Sequence, residues 1–347
     1  MTEARVAGDK PQLVAVERGS YYYWCACGRS QRQPFCDGSH HDTPLKPLVW
    51  QAPQDDQVLF CTCKQTRTPP LCDGSHNRLS EKYGVGAAAP EAQNVERLRI
   101  DDELEMATLD GGCYVIRSTA ADTATTLLQP LINHEFGATH LDQYLGVVRG
   151  TSPCWQVSGA EAAVFVLDGE GEIEIDGQSQ RITAHSAVLL RVGERFRLRA
   201  SAVEPLRFNL TVCPGGATVA EADDVTTMEA VTAPHRVEHA DPAQREAMAD
   251  RYFQVLIDDQ RQGSQITLFI GHIPQSRAAH HRHLYEETLT VLSGHGFMWT
   301  DERKTPIAAG DTIYLPARQA HSVECSNSQG MLLVGAFYPS MSPAINY

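Results

Sequence analysis

Long apolar runs are missing from this sequence. The longest, such as Ala187–Leu190 and Met331–Phe337, fall far short of the roughly 18–20 residues that a membrane span needs. The N-terminus also has no basic segment followed by an apolar one, so the expectation is a soluble, cytoplasmic chain with no membrane partner. Basic residues are scarce, 29 against 43 acidic for a formal charge of −14, and they form no Lys/Arg-rich block. That argues against a nucleic-acid groove. Aromatic residues make up only 7% of the 347 positions, yet 42% are hydrophobic, enough for one or two buried cores and too many for a disordered or fibrous chain.

Charge and cysteine are unevenly distributed. Residues 1–83 carry a net +1, leaving −15 for residues 84–347. Six of the ten cysteines (Cys25, Cys27, Cys36, Cys61, Cys63, Cys72) fall within the first 72 residues, while Cys113, Cys154, Cys213 and Cys325 stand alone. Two regions of different chemistry are implied. The lone cysteines read as small buried hydrophobes, since no Cys-His-Asp arrangement accompanies them.

The cysteine-rich region is an internal repeat with an offset of 36. Trp24–His40 and Phe60–His76 align so that Cys25, Cys27, Cys36 and His40 match Cys61, Cys63, Cys72 and His76. Each copy offers three thiolates and one imidazole in a loop of Pro, Gly, Ser and Asp that cannot form a core unaided. Three readings compete. Disulfide knots suit neither a reducing compartment nor three cysteines per copy. A structural Cys3His zinc site is chemically sound, although its usual opening is C-x2-4-C rather than C-x-C. A 2Fe-2S cluster suits the thiolates and accepts a His in place of one Cys.

Both copies fit the pattern C-x-C-x2-(S/T)-x3-P-x-C-D-G-S-H, through Ser30, Pro34 and Cys36-Asp37-Gly38-Ser39-His40 in one, and Thr66, Pro70 and Cys72-Asp73-Gly74-Ser75-His76 in the other. Residues 15–83 thus resemble the CDGSH iron–sulfur family. The resemblance implies two 2Fe-2S clusters, each bound by three Cys and one His, acting as one-electron carriers whose exposed His ligand makes them sensitive to pH.

Beyond a linker formed by Ala87–Pro90 and the polar stretch to Asn94 the sequence reads as short strands bounded by Gly, Pro and Asp, among them Leu98–Ile100, Gly112–Ile116, Leu141–Val148 and Thr312–Leu315. Asp241 as N-cap and Pro242 at the first helical position predict one helix, from Pro242 to about Gln254. A second repeat has an offset of 125, matching Gly146 to Gly271, Val166-Leu167 to Val291-Leu292, and Gly169-x-Gly171 to Gly294-x-Gly296. Two copies of one barrel or sandwich follow.

In the second copy His281, His283 and Glu287 share parity, so on an extended strand they face one way, and His321 follows a neighbouring strand. Here the sequence resembles the cupin family. H-x-H-x3-E-x6-G fits at His281, His283, Glu287 and Gly294, and G-x5-P-x4-H fits at Gly310, Pro316 and His321. Arg318 stands where the family usually shows Gly, and Cys325 where it usually shows Asn. His280 and Glu286 have the wrong parity and read as flanking residues. In the first copy the ligand positions become Gln156, Ser158, Ala162 and Phe196, which predicts a metal-free barrel. Tyr285, Trp299, Tyr314 and Arg318 lie close enough in sequence to the ligands to be pocket candidates, with Tyr285, Tyr314 and Arg318 assigned to catalysis.

The expected architecture is mainly β: a tandem CDGSH 2Fe-2S module (1–83), linker and lead-in strands (84–124), a degenerate cupin barrel (125–235) and a metal-binding one (236–347), together a bicupin. The expected mononuclear ion is Fe(II), ahead of Mn or Zn. Three His and one Glu would leave two of its six positions for O2 and one substrate atom. A monooxygenation or N-oxygenation needs two electrons from outside, and two one-electron clusters match that demand. The leading expectation is therefore an iron-dependent oxygenase of a small molecule, served by an electron-donating reductase. A homodimer enters the expectations because cupins often pair. The alternatives are a redox- or iron-sensing ligand-binding protein, and a non-redox cupin isomerase with accessory clusters.

Overall fold

The computed structural model describes residues 4–8, 11–66, 68–72, 92–119, 126–201, 204–223, 236–248 and 250–343. The linker at residues 87–90 and the expected ligand His76, with Asp73, Gly74 and Ser75, lie outside them. The chain divides into two compact units, one built on the first 85 residues and one on Gly86–Met341. Among the described residues no helix is long and apolar enough to cross a membrane.

In the N-terminal unit four strands, β1 (Gln12–Val16), β2 (Tyr21–Trp24), β3 (Leu48–Gln51) and β4 (Asp56–Phe60), form two antiparallel ribbons. Their pairing is crossed, with β1 beside β4 and β2 beside β3. The sequence offset of 36 turns β1 into β3 and β2 into β4, so each repeat pairs its first strand with the second strand of the other. The registers agree, Gln12 facing Phe60 as Leu48 faces Trp24. Alternation sends Tyr22 and Trp24 inward and leaves Tyr21 and Tyr23 exposed. Tyr22, Phe35, Trp50 and Phe60 then meet as one aromatic cluster, with Phe35 and Phe60 edge to face at 5.1 Å.

The second unit contains two jelly-roll barrels. Among the described residues the first has sheets of six and five strands, the second sheets of nine and four. The offset of 125 holds strand by strand. Thr126–Ile132, Asp142–Val148, Glu161–Asp168 and Leu206–Cys213 correspond to Arg251–Ile257, Thr267–Ile273, Glu286–Ser293 and Met331–Tyr338. The barrels share a core in which Leu131, Leu145 and Phe165 of the first meet Leu256, Ile270 and Val334 of the second.

The lead-in strands complete the second barrel. Tyr114–Ser118 pairs with Thr312–Leu315, and Gln93–Asn94 adds in parallel to Arg303–Ala308. In return Val237–His239, which precedes the second barrel, pairs with Ser186–Leu190 of the first. The lead-in is pinned by Asp311, whose buried carboxylate accepts from Arg97 and, at 2.7 Å, from Nε of Arg117.

The expected helix at Pro242–Gln254 is corrected. Asp241 does cap, accepting from the Ala243 amide at 2.9 Å, but only a 3-10 turn, Pro242–Gln244, follows. The chain then forms an antiparallel hairpin of Glu246–Met248 and Arg251–Ile257. Phe253–Ile257 is buried on both faces, and pairing with Thr267–Ile273 satisfies its backbone, which overrides a purely local capping signal.

Two glutamates clamp the barrels together. Glu286 accepts from the amides of Thr139 (2.9 Å) and His140 (2.6 Å) in the first barrel and from the Tyr314 hydroxyl (2.8 Å). Glu161, 125 residues earlier, accepts from Ser264 Oγ and the Gln265 amide of the second barrel, both at 3.1 Å, and from Arg191 at 2.7 Å. Ser264 and Gln265 are themselves the counterparts of Thr139 and His140. Replacing Glu286 with Ala takes the acceptor from the part-buried amides of Thr139 and His140 and leaves the Tyr314 hydroxyl only the Gly137 carbonyl, which should cost about 2 kcal/mol. Denaturant unfolding of the second unit measures this, and a loss below about 0.5 kcal/mol would show that the clamp contributes little.

Candidate metal centres

In the second barrel the chain brings His281, His283 and His321 together, with ligand nitrogens all within 4.8 Å of one another. Regular strand begins only at Glu286, yet His281 and His321 already form an isolated antiparallel bridge, with amide-to-carbonyl distances of 3.0 and 2.8 Å. Nδ1 of His281 and of His321 donates to the Ala279 carbonyl (2.8 Å) and the Gln319 carbonyl (2.9 Å). In that tautomer the lone pair is on Nε2, as a metal ligand requires. Glu287, on the strand Glu286–Ser293, places Oε2 3.3 Å from Nε2 of His283. Burial pushes the His281 imidazole down to about 4 and His321 well below its usual range, and raises the Glu287 carboxyl to about 8. Two imidazoles held neutral by burial, a third beside them and a buried carboxyl that needs a cation to ionise are a donor set that fits a divalent transition metal.

Arg318 supports this site through its backbone. Its φ of 70° is in the left-handed region that glycine usually occupies, and its amide donates to the His283 carbonyl at 2.6 Å. The side chain itself is exposed. Tyr314 departs from the catalytic role expected for it. Its hydroxyl donates to Glu286 (2.8 Å) and Gly137 O (3.2 Å), on the face of the sheet opposite Glu287. Tyr285 does lie at the site, stacked on His283 at 4.7 Å and on Phe337 at 4.0 Å. Trp299 is half-buried under the Arg277 guanidinium, 3.8 Å from its ring, and donates to Glu324. Cys113, Cys154, Cys213 and Cys325 are all buried.

In the first barrel Gln156 donates to the Gly193 carbonyl at 2.7 Å, and Ala162 and Phe196 belong to a closed core with Trp155 and Phe208. Apolar side chains thus stand in place of Glu287 and His321, and a glutamine tied to the backbone and a serine in place of His281 and His283.

The N-terminal loops repeat one another bond for bond. Cys25 and Cys61 donate their amides to Pro34 and Pro70, Cys36 and Cys72 to Tyr23 and Leu59. Ser30 and Thr66 each donate a hydroxyl hydrogen bond of 2.6 Å to the carbonyls of Phe35 and Leu71. Sγ atoms are 3.6 Å apart in Cys25/Cys27 and 3.4 Å in Cys61/Cys63, and Cys36 Sγ is 3.2 Å from His40 Nδ1. His40 is half-buried and stacks on His41. Asp37 ties its loop by accepting from the amides of Gln31 and Ser39. Cys61 is lowered to about 6, chiefly by the Cys63 thiol, with the Lys64 amide and ammonium helping. Paired thiols beside an imidazole, ringed by amide donors, are chemistry that fits an iron–sulfur cluster.

Lys64 is a residue that the ligand motif does not single out. It is buried at φ 63°, its ammonium donating to the Cys61 carbonyl at 3.0 Å and lying 4.5 Å from the Trp24 ring. Burial lowers its pKa, and thiols of both loops, Cys25 and Cys27 as well as Cys61 and Cys63, act against that. The equivalent residue is Gly28, where a Cβ would sit 1.7 Å from the Arg5 carbonyl oxygen. Only the second repeat has room for a side chain here.

Comparison with known proteins agrees with both halves. Residues 4–41 match the family model described as iron-binding zinc finger CDGSH type, and residues 272–335 match that of the cupin domain. The human mitochondrial CDGSH iron-sulfur domain-containing protein 3 is 51% identical over 55 residues, covering 15% of this chain and 43% of its own. An uncharacterized protein of Methanocaldococcus jannaschii is 32% identical over 63 residues, covering 18% and 50%. The chain thus spans half or less of the length of these relatives. Among solved structures, salicylate 1,2-dioxygenase from Pseudaminobacter salicylatoxidans aligns with a TM-score of 0.50 at 12% identity over 61% of this chain and 76% of that one. That likeness concerns the fold alone.

Two outcomes are expected. His281→Ala or Glu287→Ala should reduce mononuclear metal from about one ion per chain to near zero, while Gln156→Ala and Ser158→Ala leave it unchanged. Elemental analysis decides, and equal loss from both sets would contradict a single site. Lys64→Met should lower the midpoint potentials measured by spectroelectrochemistry, because a nearby cation stabilises the state holding the extra electron. Unchanged potentials would show that its charge is screened from the clusters.

Proposed function

We propose that this chain, an iron–sulfur module joined to a cupin barrel with one ligand set, is an iron-dependent oxygenase of a small organic molecule. Its N-terminal clusters supply the electrons, and a separate reductase refills them. The observation that carries the reading is the presence in one chain of thiol-rich loops and a buried three-His, one-Glu site. When loaded, the clusters exchange single electrons, and the mononuclear iron offers open positions for O2 and a substrate atom. Insertion of one oxygen atom balances as substrate, O2, two electrons and two protons giving oxygenated substrate and water. Dioxygenation would draw all its electrons from substrate and leave the clusters without a task.

The side chains have separable duties. His281, His283, Glu287 and His321 hold the ion, with two imidazoles fixed by backbone carbonyls. Tyr285 and Phe337 close an apolar wall against His283, which keeps water from the metal side of the barrel. Cys25, Cys27, Cys36 and His40 hold one cluster, and Cys61, Cys63 and Cys72 with His76 hold the other.

The test uses anaerobically purified full-length protein, which should contain about four iron and four labile sulfides in addition to the mononuclear iron. Prereduced clusters should be oxidised by O2 faster with the second barrel's iron in place than in His281→Ala. Replacing Cys36 and Cys72 by Ser should abolish reductant-driven O2 uptake while the barrel keeps its iron. Equal oxidation rates in the two proteins would favour the sensing alternative. Turnover without O2 would favour an isomerase.

A further inference from the structure

We infer that Gln33 makes the two iron–sulfur sites unequal, raising the potential of the cluster held by Cys25, Cys27, Cys36 and His40 through a hydrogen bond that the other site lacks. The inference rests on the cluster reading of the N-terminal loops and is independent of what the second barrel does. Nε2 of Gln33 donates to Cys25 Sγ at 3.6 Å and to the Ser30 carbonyl at 3.2 Å. A carbonyl only accepts, and so does a thiolate, the form in which cysteine binds a metal. The nitrogen of the amide, and not its oxygen, therefore belongs on that side. Oε1 is left buried, with no hydrogen-bond partner among the described residues. An unpaired buried carbonyl is rare and unfavourable. The loop tolerates that defect in an arrangement that directs an N–H at a ligand sulfur.

The second repeat supplies the comparison. Backbone donors match: Cys25 accepts from the amides of Gly28 and Ser30, and Cys61 from those of Lys64 and Thr66, each 36 positions later. Gly28 and Lys64 also share a left-handed backbone, with φ of 73° and 63°. The side chains do not match. Position 33 corresponds to Pro69, which is exposed and has neither a side-chain donor nor a backbone N–H. Lys64 is the other asymmetry, but it serves both sites. Its ammonium lies 3.0 Å from the Cys61 carbonyl and 4.5 Å from the ring of Trp24, the neighbour of Cys25, and its charge acts on thiols of both loops. A charge reaches over several ångströms, whereas a neutral donor acts on the atom it touches. Hydrogen bonds to the sulfurs help to set a cluster's potential. They raise it because the state holding the extra electron carries more negative charge on sulfur. Gln33 therefore biases an electron shared between the sites toward the first.

The test uses anaerobically purified full-length protein whose iron and labile sulfide have been counted. A spectroelectrochemical titration is fitted to two one-electron couples. Gln33→Leu removes the donor at similar size. It should lower one couple by about 59 mV, a tenfold change in the one-electron equilibrium between the clusters, and leave the other in place. Gln33→Glu keeps the shape and puts a carboxylate beside the sulfur, so it should lower the same couple further. A merely structural amide would move both couples together or neither, and either result overturns the inference. A rise of the affected couple overturns it as well. Should Gln33→Leu fail to assemble both clusters, Gln33→Pro, which gives the first loop the residue that the second already carries, decides on the same reading. Absence of labile sulfide from the unaltered protein would sink the cluster reading and this inference with it. Two clusters whose potentials ignore position 33 would sink this inference alone.

Discussion

The second unit depends on two carboxylates joined by one peptide bond. Glu286 and Glu287 begin the same strand, so the pleat sends them to opposite faces. Glu286 is satisfied by protein donors, two amides of the other barrel and the Tyr314 hydroxyl. Glu287 faces inward among imidazoles, and burial raises its carboxyl to about 8. The first carboxylate fixes the strand against its neighbour, and that fixed strand presents the second to a cation. A one-residue shift of register would exchange their environments, which couples the packing of the barrels to the geometry of the candidate metal site.

Why one barrel is equipped for chemistry and the other is not follows from what fills the same frame. The strands superpose at a constant offset, and the glutamate clamp is reciprocal. The interiors differ. Phe196 and Ala162 close the first barrel with Trp155 and Phe208, whereas the second keeps polar ligands where those apolar groups stand. The loop before His321 does the rest, since Arg318 accepts a left-handed backbone in order to offer its amide to the His283 carbonyl.

The candidate ligands are legible because metal chemistry constrains spacing. His281, His283, Glu287 and His321 come together as the motif implies, and the thiol pairs of both loops do likewise. Tyr314 was misread because nearness in sequence carries no information about which face of a strand is meant. Glu286 was set aside for wrong parity, and that same parity gives it its place in the clamp. The strand Arg251–Ile257 is hidden in the sequence inside a segment whose capping signals suggest a helix. Lys64 could have been suspected from the lack of symmetry with Gly28, but its reach toward both thiol sets depends on how the crossed strands fold the repeats together.

That crossing occurs twice. In the first unit the repeats trade strands, and in the second the segment ahead of each barrel joins the sheet of the other. An exchange of this kind is a handshake, complete with two participants. Tandem repeats that simply stack leave an open end to which another copy can be added. Here each member already occupies the edge its partner offers, so both architectures stop at two. Duplication could lengthen such a gene further, but a third copy would find no hand extended, and the surplus module would have to pair with another surplus module or remain unfolded.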